Sequence, residues 1–335
     1  MNKDWRPSLT QNLTRILVVR LGAMGDIVHA LPAVASLKQG FPGSRITWAV
    51  EPQWAALLEA NPFVDDLILV RRRTALGLLE SWRELCAAQF DFAVDFQGLL
   101  KSAVVAAIAH PERIFGWERG QLREAAAGVF YTRRASSTAA HVVDRNLDLA
   151  VAAGAANRVR AFPLPPGRPE AALPAGPFVL ASPLAGWRAK QWPLEHHTAL
   201  AGQLMREYRV PLVLNVPPAA TVDPAEGVWP HVCGIPGLID ATRRATAVVG
   251  VDSGPMHLAA ALGRPGAALF GPTDPARNGP YGNSLGVLRW PGAMTSYQRL
   301  DAIDESMRRI TPEQVFETLR AALDKARGSA GYPGG

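Results

Sequence analysis

The sequence predicts an α/β protein of two successive domains, each built on a parallel sheet. Short β-branched runs alternate with stretches of helical spacing, which is how a parallel sheet covered by helices on both faces reads. The alternation stops over a proline-rich stretch at 161–177 and then starts again. At 335 residues, 48% of them apolar and 19% charged, the chain is too long for one ordinary core and apolar enough to fill two.

The first strand is 15–20 (RILVVR). It runs into Leu21-Gly22-Ala23-Met24-Gly25-Asp26, and apolar positions at helical spacing follow through 27–39. A strand at 45–50 (RITWAV), a helix at 53–60 and a strand at 66–70 (DLILV) come next. A helix at 76–88, a strand at 91–95 (DFAVD) and a helix at 99–109 continue the alternation. No element is assigned between 110 and 160. The stretch 161–177 holds six prolines without periodicity and reads as an interdomain linker, which divides the chain into domains 1–165 and 166–335. Beyond it lie a strand at 178–181, a helix at 195–207, a strand at 211–215, a short element near 238–244, a strand at 246–251, a helix at 255–262 and a strand at 266–270. A loop then runs to about 286. Thr311 caps a closing amphipathic helix over 312–327, with Pro312 at its first position, and this helix is expected to pack back on the first domain.

Composition narrows the function. The net charge of +6 points to anionic partners. The basic residues are spread along the chain and do not interleave with aromatics on one module, so a phosphorylated small molecule or an acidic membrane surface is expected rather than nucleic acid. The apolar runs fall far short of a membrane span of roughly 20 residues. The start of the chain shows no signal-peptide core, and Cys86 and Cys233 stand far apart in sequence, so a reduced, cytoplasmic protein is expected.

Four strand ends hold residues that could carry chemistry. Gly22-Ala23-Met24-Gly25-Asp26 lets the backbone approach a ligand at a helix N-terminus, although Asp26 would serve equally as a helix cap. It is no dinucleotide fingerprint, but Glu51, just past the second strand, mimics a ribose-binding acid and keeps an oxidoreductase in view. Asp252-Ser253-Gly254-Pro255-Met256-His257 follows another strand, where open parallel sheets bind ligands. There Ser253 or Asp252 is either a site residue or an ordinary cap. Phe270-Gly271-Pro272-Thr273-Asp274-Pro275 reads as a rigid loop. Trp187-Arg188-Ala189-Lys190-Gln191-Trp192-Pro193 places a Lys between two Trp residues, ready for a phosphate or merely solvated.

RLGAMGDIVHALPAV, AVDFQGLLKSAVVA, REAAAGVFYTRR, KQWP, VGVDSGPMHLAAALGRP and FGPTDP, in that order, resemble the ADP-heptose:lipopolysaccharide heptosyltransferases over nearly the whole chain, from Arg15 to Ala322. The resemblance is nearest to the enzymes that add the first heptose. It implies the GT-B architecture, two Rossmann-like domains with parallel sheets facing a central cleft. The first domain would bind the acceptor and the second the nucleotide sugar. It also implies an inverting, metal-independent glycosyltransferase with no cofactor, in which ADP-heptose is the donor substrate.

On this resemblance Asp26 is the general base that takes a proton from the acceptor hydroxyl. Lys190, Asp252, Ser253, Gly254 and His257 match donor-site positions, with Lys190 facing the leaving diphosphate and Asp252 a sugar hydroxyl. Arg71, Arg73, Lys101, Arg123 and Arg145, together with Arg72, would meet an acidic Kdo-containing glycolipid at the cytoplasmic face of the inner membrane. No Asp-x-Asp pair or His/carboxylate cluster suggests a metal site. The loop Asn215-Val216-Pro217-Pro218-Ala219-Ala220 departs from relatives that carry Trp-Gly and acidic residues at the ribose, with Glu226 the acid that remains nearby. The segment after Arg71-Arg72-Arg73 is also shorter than in those relatives. Two other readings stay open: the same chemistry with another nucleotide sugar or glycan acceptor, and a nucleotide-sugar epimerase of the same fold.

Overall fold

A computed structural model describes residues 13–218, 227–296 and 298–329. The chain divides at Pro165/Pro166 into two compact units. The first contains β1 (Arg15–Val19), α1 (Met24–Gly40), β2 (Arg45–Val50), β3 (Asp66–Leu69), α2 (Ala75–Ala87), β4 (Phe92–Asp95), α3 (Leu100–Ile108), β5 (Arg113–Trp117), β6 (Arg133–Ala135) and α4 (Val142–Ala152). Its six strands are all parallel, in the order β3-β2-β1-β4-β5-β6. β1 is central, with Ile16, Leu17, Val18 and Val19 fully buried, because a strand flanked on both edges and covered on both faces needs apolar residues at every position. The segment expected as a helix at 53–60 is a 3₁₀ turn, Pro52–Leu57, opened by Pro52. The stretch left unassigned supplies β5, β6 and α4, and α4 packs on α1 through Asn146, whose Nδ2 donates to the His29 carbonyl at 3.1 Å.

The second unit contains β7 (Val179–Ser182), α5 (Leu194–Tyr208), β8 (Leu212–Val216), β9 (Val228–Val232), α6 (Ile235–Arg244), β10 (Ala247–Val251), α7 (Gly254–Ala261), β11 (Gly266–Phe270), α8 (Pro275–Asn278), β12 (Leu285–Arg289), α9 (Glu305–Arg308) and α10 (Pro312–Ser329). The strand order β12-β11-β10-β7-β8-β9 repeats the topology of the first sheet, and every pairing is again parallel. In each sheet the strand order reverses beside the central strand, between β1 and β4 and between β7 and β10. That reversal opens a crevice at the carboxyl ends of the strands, where such sheets bind ligands.

The apolar stripe of the closing helix α10, Val315, Phe316, Leu319 and Leu323, is buried in the second unit's core with Trp192, Leu200 and Leu204. Tyr208 Oη also donates to Asp324 at 2.7 Å, holding α10 to α5. The proline-rich stretch spans the boundary between the units, and its second half packs on α6. Gly167 (φ +82) lies so close to α6 that a Cβ there would stand 2.5 Å from the Asp240 amide nitrogen. Arg168 N donates to the Pro236 carbonyl at 3.0 Å, and Glu170 Oε2 accepts from Gly234 N at 2.6 Å at the start of α6.

Candidate active site

In the second unit, β7 and β10 lie side by side, with Ser182 opposite Gly250. The turn after β7 carries Lys190, and β10 passes directly into Asp252, Ser253 and α7. Two residues 62 positions apart therefore meet: Lys190 Nζ donates to Asp252 Oδ2 at 3.0 Å. His257, one turn into α7, brings Nε2 to 3.5 Å from the other oxygen, Oδ1. The side chains of Lys190 and Asp252 are only 13% and 8% exposed. Burial alone would raise the Asp252 carboxyl. The His257 hydrogen bond and the Lys190 charge outweigh it and hold the group well below the ordinary carboxylate range.

Ser253 occupies the N-cap position of α7, yet its hydroxyl caps nothing. Its Oγ is buried with no partner among the described residues. An unmade hydrogen bond on a buried hydroxyl costs about 1–3 kcal/mol, so the arrangement calls for a polar ligand. The positive end of α7 selects an anionic one. Trp187, at the start of the Lys190 turn, carries two cations over its ring, Lys190 Nζ at 4.6 Å and the Arg299 guanidinium at 5.4 Å. Its Nε1 is likewise buried without a partner among the described residues.

In the first unit, Asp26 stands in the first turn of α1, on the loop leaving β1. Arg20 closes that strand end. Its Nη2 pairs with Asp26 Oδ2 at 2.6 Å and its Nη1 donates to the Phe96 carbonyl at 2.6 Å. The two side chains are 10% and 44% exposed, so a nearly buried guanidinium holds a half-open carboxylate. Ala23 N also reaches Oδ2, at a long 3.3 Å. Asp26 is thus a weak helix cap and, at the same time, a carboxylate held through Oδ2. Gly22 is required because a Cβ there would sit 2.7 Å from Trp54 Nε1.

The loop after β4 braces this turn. Gln97 Oε1 accepts from Leu21 N at 2.8 Å. The loop itself hangs on Asp95, a fully buried carboxylate that accepts from Gln97 N (2.8 Å), Gly98 N (3.2 Å), Ser102 Oγ (2.8 Å) and Tyr131 Oη (2.7 Å). Burial pushes the Asp95 carboxyl up despite these bonds.

The basic residues expected at an acceptor are less gathered. Arg71 and Arg73 are exposed past the end of β3, and Arg73 Nη2 donates to Gln53 Oε1 at 3.0 Å. Arg72 is ion-paired with Glu51, its Nε donating at 3.0 Å, so the acid that kept an oxidoreductase in view is already bound to a cation. Lys101, in the first turn of α3, is exposed, as is Arg123. Their segments are tied by Leu100 N donating to Glu124 Oε2 at 2.6 Å. Arg145, on α4, sets its guanidinium 5.2 Å from the Trp117 ring centre at the end of β5.

Asn215 is buried and accepts from Cys233 Sγ at 3.0 Å, which ties β8 to the residue after β9; Ala219, Ala220 and Glu226 lie outside the described residues. Among the described residues no group of three or more His, Cys, Asp or Glu is placed to hold a metal ion.

Sequence reasoning missed Arg20, Asp95, Gln97 and Arg299. Arg20 had a signal, a cation directly after the apolar run Ile16–Val19 and six residues before the acid, but it reads as part of the strand.

Residues 78–302 match the profile of glycosyltransferase family 9 (heptosyltransferase). The chain is 31% identical over 321 residues to lipopolysaccharide heptosyltransferase 1 of Escherichia coli O18:K1:H7, covering 87% of this chain and 96% of that one. It is 31% identical over 300 residues to lipopolysaccharide heptosyltransferase 1 of Pseudomonas aeruginosa, covering 81% and 82%. Among solved structures, E. coli heptosyltransferase WaaC with ADP-2-deoxy-2-fluoro heptose superposes with a TM-score of 0.73 at 25% identity, covering 92% of this chain and 99% of that one.

Proposed function

This chain belongs to glycosyltransferase family 9, the heptosyltransferase family, and from that premise we propose that it transfers heptose from ADP-L-glycero-D-manno-heptose to the Kdo–lipid A inner core of lipopolysaccharide. The transfer inverts the anomeric centre and needs no metal. The acceptor hydroxyl gives its proton to Asp26, its oxygen bonds to the anomeric carbon, and the bond from that carbon to the diphosphate oxygen breaks. ADP leaves with the electron pair. Lys190 and the positive end of α7 receive the charge that develops on the leaving group. Ser253 bonds the donor through its unused hydroxyl, Gly254 lets the diphosphate approach the backbone, and Asp252, fixed by Lys190 and His257, orients a sugar hydroxyl. Arg20 holds the base in place. Arg71, Arg73, Lys101, Arg123 and Arg145 meet the carboxylates and phosphates of the acceptor, at the cytoplasmic face of the inner membrane.

The observation that carries this reading is the buried Lys190–Asp252–His257 cluster beside the unpartnered Ser253 hydroxyl, at the point where the second sheet reverses. The names of the relatives supply the sugar and the acceptor class. The test is to incubate purified protein with ADP-heptose, with and without Kdo–lipid A and with and without EDTA. ADP release that depends on acceptor and survives EDTA is the expected result. Loss of activity in EDTA contradicts the metal-free step, and conversion of the donor without acceptor replaces transfer by epimerisation.

A further inference from the structure

We propose that α2, the start of α3 and the turn Ala125–Val129 form a membrane-docking face on the first unit, fitted to an anionic lipid surface. α2 is apolar on two sides. Gly77, Ser81 and Leu85 make its buried row. Away from that row it presents Leu76, Leu78 and Trp82 at 65%, 50% and 52% exposure, where a surface helix ordinarily carries polar residues. The neighbouring α3 exposes Leu100 and Val104, and the turn packed on α3 leaves Val129 76% exposed. Leu78, Trp82, Leu100, Val104 and Val129, on elements packed on one another, make a patch, unlike single exposed leucines such as Leu76, which falls on the flank of Glu80.

Charge selects the occupant. Arg71 and Arg73 precede α2, Lys101 lies in the first turn of α3, and Arg123 precedes the turn that bears Val129. At 100° per residue, Glu80 and Glu84 fall on the flank of α2 turned away from Leu78 and Trp82. Apolar side chains that include an indole, with cations on the segments leading into them, match the interface of an anionic bilayer, where Trp favours the headgroup level and each basic residue adds attraction. The described residues include no helix long and apolar enough to cross a membrane, and the contact proposed here is interfacial.

Topology gives the face its use. α2 follows β3 and α3 follows β4, so their first turns stand on the same carboxyl edge of the sheet as the loop that carries Asp26. A bilayer against this face brings a sugar on a lipid to that edge. The inference rests on the reading that the acceptor is such a sugar.

The test mixes the full chain with vesicles of phosphatidylcholine alone, or of phosphatidylcholine with phosphatidylglycerol, and sediments them. Wild type is expected to bind the mixed vesicles, less so as salt is added, with a blue shift of tryptophan emission. The double variant Leu78→Gln/Trp82→Gln should bind about tenfold more weakly at an unchanged melting temperature. Its KM for acceptor in vesicles should rise, while transfer to a deacylated, water-soluble acceptor stays as in wild type. Equal vesicle binding by the variant, or a wild type that ignores the vesicles, overturns the proposal. So does a wild-type dimer that the substitutions convert to monomer, which makes the face an interface between copies. If vesicle binding follows the expectation but neither acceptor is glycosylated, the heptosyl reading falls and the docking face stands.

Discussion

At the scale of single residues, the Lys190–Asp252 pair separates folding from function. Removing one partner of a buried pair leaves an uncompensated charge and costs about 3–5 kcal/mol. Lys190→Met should therefore lower stability and weaken ADP binding together. Adding Asp252→Asn removes the stranded charge, so the double variant should regain most of the stability without regaining ADP affinity. Urea melts and ADP titrations check this, and a single variant that binds ADP like wild type contradicts the assignment of Lys190 to the diphosphate. The pH dependence of stability has a different source. His197 is fully buried on α5, its Nδ1 at 3.1 Å from the Pro193 carbonyl, and burial pushes it down to about 4. The unfolded chain takes up a proton as pH falls through 6.5 and the fold only near 4, so stability drops across that window, by up to about 3 kcal/mol. His197→Gln should flatten this part of the profile, and an unchanged slope in urea midpoints would refute the cause. Asp252 acts lower: its depressed carboxyl contributes stability above the ordinary carboxylate range and loses it only as pH falls below that range.

At the scale of elements, backbone geometry decides which glycines matter. A Cβ at Gly266 would stand 1.9 Å from the Val248 carbonyl oxygen, inside the β10–β11 pairing, so Gly266→Ala should destabilise the second unit by about 3 kcal/mol or more. Gly263 also has a positive φ (+64) but nothing within 4 Å, and Gly263→Asn should cost less than about 1 kcal/mol. Melting temperatures of the two variants test the contrast, and equal losses would contradict it. The same distinction explains what the sequence revealed. The buried strands β1, β2, β4, β7, β8, β10 and β11 were legible because burial on both faces demands mostly apolar runs. Three of the four edge strands, β6, β9 and β12, were not: an edge needs neither, and RRA, VWPHV and LGVLR carry charge, proline or glycine instead. β5 hides because Gly116 interrupts it to admit the Tyr131 ring, and α4 because it opens on His141 rather than an ordinary cap. In the site, Asp26, Lys190 and Ser253 showed themselves by standing at glycine- or proline-marked strand ends. Two of the bonds at these strand ends, Lys190 to Asp252 and Arg20 to the Phe96 carbonyl, span 62 and 76 residues and follow from sheet order, which no local pattern displays.

At the scale of the whole molecule, one topology is used twice for different chemistry. The first unit sets a carboxylate, held by Arg20, on the loop after its central strand. The second sets a buried cation, a hydroxyl without a partner among the described residues and a helix N-terminus at its own point of reversal. If the first supplies the base and the second binds the donor, damage to the base must spare nucleotide binding. The most direct measurement compares wild type and Asp26→Asn for acceptor-dependent ADP release and, on the same samples, for ADP affinity. Turnover should fall by about two to four orders of magnitude while the Kd for ADP stays within a factor of about two. Undiminished turnover in the Asn variant, or an equal loss of ADP binding, would contradict the account.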